Sequence, residues 1–266
     1  MMRFIFLALL PLHVCAELIL AVVPWRSPEA LERLYAPLVQ IISQSTGQKV
    51  RFMVSSNYSQ LINQVAEEHA DIAIFGANSY VEAKERIPNL IYLGTCKIPN
   101  DHYNSILIAH KSNLAPLQSY RGKHLALTDK ASTSGYVYPL LMLHEAQIGI
   151  EDFATVSLLG SHYRIYEAVA NKVIDIGGVS MTGLEDAIKI HGDIFGIIQM
   201  SEPIPQDPIV IAPHVNAEYV DALQGALASD FAQKVFDEFQ TDLKGVAIHD
   251  DAYYDIVRRA REWQKE

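Results

Sequence analysis

Residues 128–136 read Thr-Asp-Lys-Ala-Ser-Thr-Ser-Gly-Tyr, so that three consecutive hydroxyl side chains stand just ahead of a helical pattern. Hydroxyl donors beside the free N–H groups of a helix start, under the positive end of its dipole, make a cradle for a tetrahedral oxyanion. Ser132, Thr133 or Ser134 would serve equally as an ordinary N-cap, and this segment alone leaves both readings open. Gly135 reduces bulk at the cradle and by itself decides nothing. Other chemistries read poorly. The histidines are scattered, without His-x-x-x-His or Cys-x-x-Cys spacing, so no metal site is expected. Gly-x-Ser-x-Gly, Gly-x-Gly-x-x-Gly and the Walker lysine loop are absent, which argues against serine-hydrolase, dinucleotide and P-loop chemistry. His144-Glu145 reads as the solvated end of a helix, and Trp25 as a cleft, core or hinge residue.

The cradle must be held by a scaffold, and the apolar pattern describes one. Short runs at 18–23, 50–54, 72–75 and 90–93 are rich in β-branched or aromatic residues and bounded by turn residues, as strands are. Between them, 28–44 places Leu31, Leu34, Leu38 and Ile42 on one helical face, with Gly47 as a stop, and 58–69 does the same with Leu61, Ile62 and Val65. A second round of strands is expected at 106–109, 125–128, 156–159, 174–179 and 195–198, separated by helices at 134–147, 163–171 and 182–190. A strand at 209–212 then leads into helices near 218–228, 231–239 and 252–266. This grammar predicts an α/β fold of two lobes, each a mostly parallel sheet flanked by helices. No linker separates the rounds, so the lobes would share two continuous hinge strands and hold a ligand in the cleft between them. Residues 17–101 with 206–266 are expected to form one lobe and 102–205 the other.

Composition narrows the class. The 266 residues carry 21 Lys+Arg against 31 Asp+Glu, a net charge of −10, which repels nucleic acid and anionic lipid. Residues 1–16 have a basic start, a short apolar run and small residues before Glu17, the marks of a cleavable signal peptide. Cleavage after Ala16 predicts a periplasmic protein with no transmembrane segment. Cys15 raises the alternative of a lipid anchor, but Val14 stands where a small residue normally precedes a lipidated cysteine. Cleavage leaves Cys96 as the single cysteine, unable to form an internal disulfide and read as a small buried hydrophobe at a strand end.

Taken in order, these segments resemble a known family: the PhnD-like type II solute-binding proteins, which bind phosphate, phosphite or phosphonate in the periplasm for ABC importers. The resemblance covers nearly all of the mature chain. It rests on Ser132-Thr133-Ser134-Gly135-Tyr136 with Pro139, on Asp71-Ile72-Ala73-Ile74-Phe75-Gly76 with Ser79-Tyr80, and on residues 103–108. Gly160-Ser161-His162 with Ala168-Val169-Ala170-Asn171, Asp175, and Ile204-Pro205-Gln206-Asp207-Pro208 complete it. It implies that Ser132, Thr133 and Ser134 grip the phosphorus oxygens and that Tyr58, Tyr103, His162 and Asp207 are the other ligand-binding residues. Tyrosine hydroxyls suit an oxyanion at little entropic cost, and histidine adds a donor that is able to become cationic.

Asp207 requires a reason, because a carboxylate repels an anion. The repulsion is relieved when a ligand oxygen carries a proton to donate, which selects protonated phosphorus oxyanions over sulfate; an Asp-Pro turn opening a strand is the alternative. Aminoalkylphosphonate binders of the family place a carboxylate where this chain has Thr182, with Glu185 and Asp186 further along. Phosphite, methylphosphonate or phosphate is therefore expected rather than 2-aminoethylphosphonate. No catalysis and no cofactor are expected. The implied role is a monomeric solute-binding protein for an ABC transporter permease, with two rivals: the ligand-sensing subunit of a membrane receptor, and a secreted hydrolase using His162 and Asp207.

Overall fold

The computed structural model describes residues 17–99 and 101–262. Residues 1–16, where a signal peptide and the Cys15 anchor were expected, and residues 263–266 lie outside the described residues, and no described helix is long and apolar enough to cross a membrane.

The first unit begins with β1 (Glu17–Val22), α1 (Pro28–Thr46), β2 (Lys49–Val54), α2 (Tyr58–Ala66), β3 (Ile72–Ile74), α3 (Ala77–Arg86) and β4 (Ile91–Lys97). Local signals set these limits. Ser27 caps α1 by accepting the Ala30 N–H at 3.4 Å, Pro28 opens it, and Gly47 ends it at φ 69°, a left-handed conformation that glycine adopts without strain. Leu31, Leu34, Leu38, Ile41 and Ile42 form its buried face.

The chain crosses to the second unit through β5 (His102–Tyr103) and continues as β6 (Ser105–His110), β7 (His124–Leu127), α4 (Tyr138–Glu145), β8 (Thr155–Leu158), α5 (His162–Ala170), β9 (Ile176–Ser180), α6 (Leu184–His191) and β10 (Phe195–Met200). It returns through β11 (Ile204–Pro205) into β12 (Pro208–Ile211), α7 (Ala217–Leu227), α8 (Asp230–Glu238), β13 (Gly245–Ala247) and α9 (Asp255–Glu262). The crossing strands β5 and β11 pair antiparallel, Tyr103 opposite Ile204.

The expected α/β architecture of two helix-flanked sheets is present, with strand orders β13-β4-β12-β3-β1-β2 and β10-β6-β9-β7-β8. The expectation of mostly parallel pairing is corrected: both sheets are mixed. β2-β1-β3 and β8-β7-β9 are parallel, but β12 runs antiparallel to β3 and β4, and β6 runs antiparallel to β9 and β10. The strands that run against the rest are β6 and β12, by which the chain enters each sheet after a crossing, and β13. Helix α3 and β13 were not expected, whereas two crossing strands were. The helix expected at 134–147 is instead a turn of π-helix over Thr133–Val137 leading into α4.

Candidate functional site

The ends of β1, β3, β7 and β9 and the starts of the following helices face each other across the seam between the sheets. Direct hydrogen bonds close that seam. Asp129 Oδ1 accepts from Ser59 N at 3.2 Å and Oγ at 2.7 Å, Thr133 Oγ1 accepts from Asn78 N at 2.8 Å, and Ser79 Oγ donates to Ala131 O at 2.8 Å. Ala131, Val137 and Tyr138 are buried in the core of the first unit, so the cradle segment is packed into both units.

One cavity in this seam is lined by Tyr58, Tyr103, Ser132, Thr133, Ser134, His162 and Asp207 together. Helix starts dominate its walls. Tyr58 opens α2, His162 opens α5, Gly76 is the N-cap of α3, and Ser132 is the N-cap of the π turn. Four positive dipole ends therefore converge, although no Lys or Arg lines the cavity among the described residues. The field inside favours an anion in a chain whose net charge is −10.

The two readings of the cradle are compatible. Ser132 Oγ accepts the Gly135 N–H at 3.1 Å, so Ser132 is an N-cap. A hydroxyl that accepts one bond keeps its proton to donate, as does Thr133 Oγ1 while it accepts from Asn78. Tyr103 reaches Thr133 and Ser134, and Tyr58 reaches Ser132. Burial first, and Asp207 second, push both phenols well above their ordinary range, while those serine and threonine contacts pull down; both remain donors at any physiological pH.

Burial acts oppositely on the two titratable groups of ordinary pKa. Desolvation raises Asp207 to about 7, with no cation among the lining residues to offset it. Desolvation lowers His162 to about 3. The expectation of a histidine able to become cationic is therefore corrected: His162 is 2% exposed and stays neutral. Its Nδ1 accepts the Ser180 N–H at 3.2 Å, which assigns the proton to Nε2 and makes the ring a neutral donor.

A pH experiment reads this directly. The unfolded pKa is about 6.5, so on going from pH 8 to pH 5 the unfolded chain takes up a proton that buried His162 refuses, and stability falls by about 2 kcal/mol through this group. In His162→Gln that loss is absent. The melting-temperature difference between variant and parent should move in the variant's favour between pH 8 and pH 5; an unchanged difference would mean that His162 titrates normally.

Val23, Trp25, Gly76, Ile98, Ser180, Thr182 and Gln206 also line the cavity. Thr182 is where the register put it, hydrogen-bonded to the Ser180 hydroxyl. Glu185 is turned to Lys189 at 2.8 Å and Asp186 to Arg26 at 3.0 Å, so neither enters the cavity. Trp25 forms one wall, its Nε1 donating to the Tyr35 hydroxyl at 3.4 Å. Cys96 is buried in β4, its N–H donating to the Asp207 carbonyl at 2.9 Å. Gly135 carries more than its residue type suggested. A Cβ there would lie 2.2 Å from Thr128 Oγ1 and 2.8 Å from His162 Cε1.

Comparison with known proteins bears on the family and the fold. Residues 20–254 match the family model described as the phosphonate ABC transporter periplasmic substrate-binding protein. The phosphate-import protein PhnD of Mycolicibacterium smegmatis is 26% identical, over 90% of this chain and 83% of its own. A binding protein component of an ABC phosphonate transporter from Pseudomonas aeruginosa superimposes with a TM-score of 0.81 at 22% identity, covering 94% of this chain and 86% of its own. A Prochlorococcus marinus PhnD in complex with methylphosphonate gives 0.80 at 16% identity, covering 94% and 98%.

Proposed function

We propose that this chain, which belongs to the family of periplasmic substrate-binding proteins of phosphonate ABC transporters, closes on a compact phosphorus oxyanion, namely phosphite, methylphosphonate or phosphate. In this reading residues 17–101 with 206–266 form one lobe, 102–205 the other, and β5 and β11 are the hinge. Ser132, Thr133, Ser134, Tyr58, Tyr103 and His162 Nε2 donate to the oxygens, and the closed form is what the membrane permease of the importer receives. A ligand that touches both lobes stabilises closure by its differential contacts.

The observation that carries the choice of ligand is the cavity itself. It measures about 20 Å³, against the roughly 10–15 Å³ that a single water needs. As it stands that is room for little more than one water, so the lining of the cavity, rather than its volume, argues for the ligand. Its walls supply neutral donors and one carboxyl, Asp207, and no second carboxylate that would pair with an ammonium. Asp207 accepts a proton shared with a ligand oxygen, which sulfate lacks at neutral pH.

Titration calorimetry in phosphate-free buffer tests the reading. One or more of phosphite, methylphosphonate and phosphate should bind at least about 100-fold more tightly than sulfate or 2-aminoethylphosphonate, a difference of about 2.7 kcal/mol. Preference for 2-aminoethylphosphonate, or no binding by any of the five, would overturn it.

A further inference from the structure

A second and much larger cavity, about 620 Å³, opens in the same seam and is used by nothing described above. One side is built by Trp25, Arg26 and the first turns of α1 with residues 239–242, and the other by α5 and α6. Its size lies in the range of small-molecule sites, and its walls are largely apolar and aromatic, with Trp25, Leu34, Tyr166 and Phe239 among them. We propose that it is a second ligand site, for a small amphiphilic anion with a flat apolar body and one acidic group.

The acidic group is argued from donors without partners. Arg26 Nε is buried and makes no hydrogen bond, because Asp186 Oδ2, although 3.0 Å away, is not aligned to accept from it. His191 Nε2 is likewise buried and unpartnered, and is a donor in the tautomer that carries the proton there. Buried N–H groups left unsatisfied are costly, and an acceptor supplied by a ligand removes that cost. The carboxylates of the pocket are already engaged: Asp186 and Asp242 flank Arg26, and Glu185 with Asp186 holds Lys189. Arg33 is exposed and has no ion pair among the described residues, so it is the cation free to meet an incoming anion. The apolar body is argued from Trp25, over whose ring the Arg26 guanidinium lies at 4.5 Å, and from the aromatic walls facing it.

Trp25 lines both cavities, and both units wall this one. An occupant that needs both walls binds the closed form best, so the two sites are coupled; this coupling rests on the proposed closure around the oxyanion. Linkage makes the coupling reciprocal.

The probe is 8-anilinonaphthalene-1-sulfonate, two aromatic groups with one sulfonate, titrated by fluorescence into the purified protein with and without saturating phosphite. Saturable one-to-one binding is expected, tightened about fivefold by phosphite. Arg33→Glu should weaken the probe about tenfold, and Ala187→Trp, which fills the pocket, should abolish its binding, while both variants bind phosphite as the parent does. Should Ala187→Trp fail to fold, the exposed Arg33→Glu carries the test alone. Displacement of the probe by phosphite would put it in the small cavity and overturn the proposal. So would unsaturable binding, or binding indifferent to Arg33→Glu; either would leave the groove to a segment of the membrane partner. Probe binding that survives while no phosphorus oxyanion binds would sink the transport reading and leave this one standing.

Discussion

Asp207→Asn should make the ligand-free protein more stable at pH 8 and poorer at telling phosphorus oxyanions from sulfate. Desolvation lifts the carboxyl from the usual carboxylate range to about 7. A raised acid pKa means that between about pH 4 and 7 the folded state binds the proton that the unfolded chain has released, so stability falls as pH rises through that window. At pH 8 the full cost is present, at most about 4 kcal/mol, while at pH 4 the unfolded carboxyl is about half protonated and only about 0.5 kcal/mol remains, vanishing below about pH 3. An uncharged amide of the same shape removes it. The expected result is a rise in melting temperature at pH 8, at roughly 2–4 °C per kcal/mol, that shrinks to a small remnant near pH 4. In binding, the amide N–H donates to a fully deprotonated oxygen, so the variant no longer requires a proton on the ligand. Selectivity for phosphite over sulfate should then drop by about 100-fold or more. A variant that is no more stable at pH 8 than the parent, yet equally selective, would remove Asp207 from the site.

Why the cradle was legible in the sequence and the seam was not follows from particular residues. Ser132-Thr133-Ser134 is a local signal, because capping and donation both depend on hydroxyls at a helix start. Tyr58 and His162 were legible as resemblance and are explained only by the fold, which sets each at the first residue of a helix aimed into one cavity. Helix α3 escaped detection because its buried face includes Asn78 and Ser79, polar residues that break the apolar period. Their side chains hydrogen-bond across the seam, Ser79 Oγ donating to the Ala131 carbonyl at 2.8 Å and Asn78 Nδ2 to the Lys130 carbonyl at 3.4 Å. The same seam decides the charge of His162. Its neutrality is a product of burial and of the Ser180 N–H at Nδ1, both non-local. The reversed strands were missed for a related reason: β6 and β12 read as short apolar runs like the others, and only the crossing of the chain between units fixes their direction.

Gly135→Ala should abolish useful affinity. The added methyl would sit 2.2 Å from Thr128 Oγ1, 2.4 Å from Thr128 Cγ2 and 2.8 Å from His162 Cε1. Real Cβ atoms do not approach so closely, so something must move. The segment is held on both sides, by the Thr128 N–H on the Gly135 carbonyl at 2.9 Å and by the Gly135 N–H on Ser132 Oγ at 3.1 Å. Any displacement therefore carries the cradle hydroxyls or the His162 ring with it. Overpacking of this kind costs about 1–3 kcal/mol of stability, and calorimetry with the preferred oxyanion should show a loss of about 100-fold in Kd. The clash also suggests its own control. Thr128 Oγ1 is buried without a hydrogen-bond partner among the described residues, so Thr128→Ala gives up no bond and opens space under residue 135. The pair Thr128→Ala with Gly135→Ala should recover part of the lost affinity, a non-additivity expected of residues in contact. If Gly135→Ala alone binds like the parent, the cradle tolerates displacement, and the grip on the ligand lies with the tyrosines and Asp207 instead.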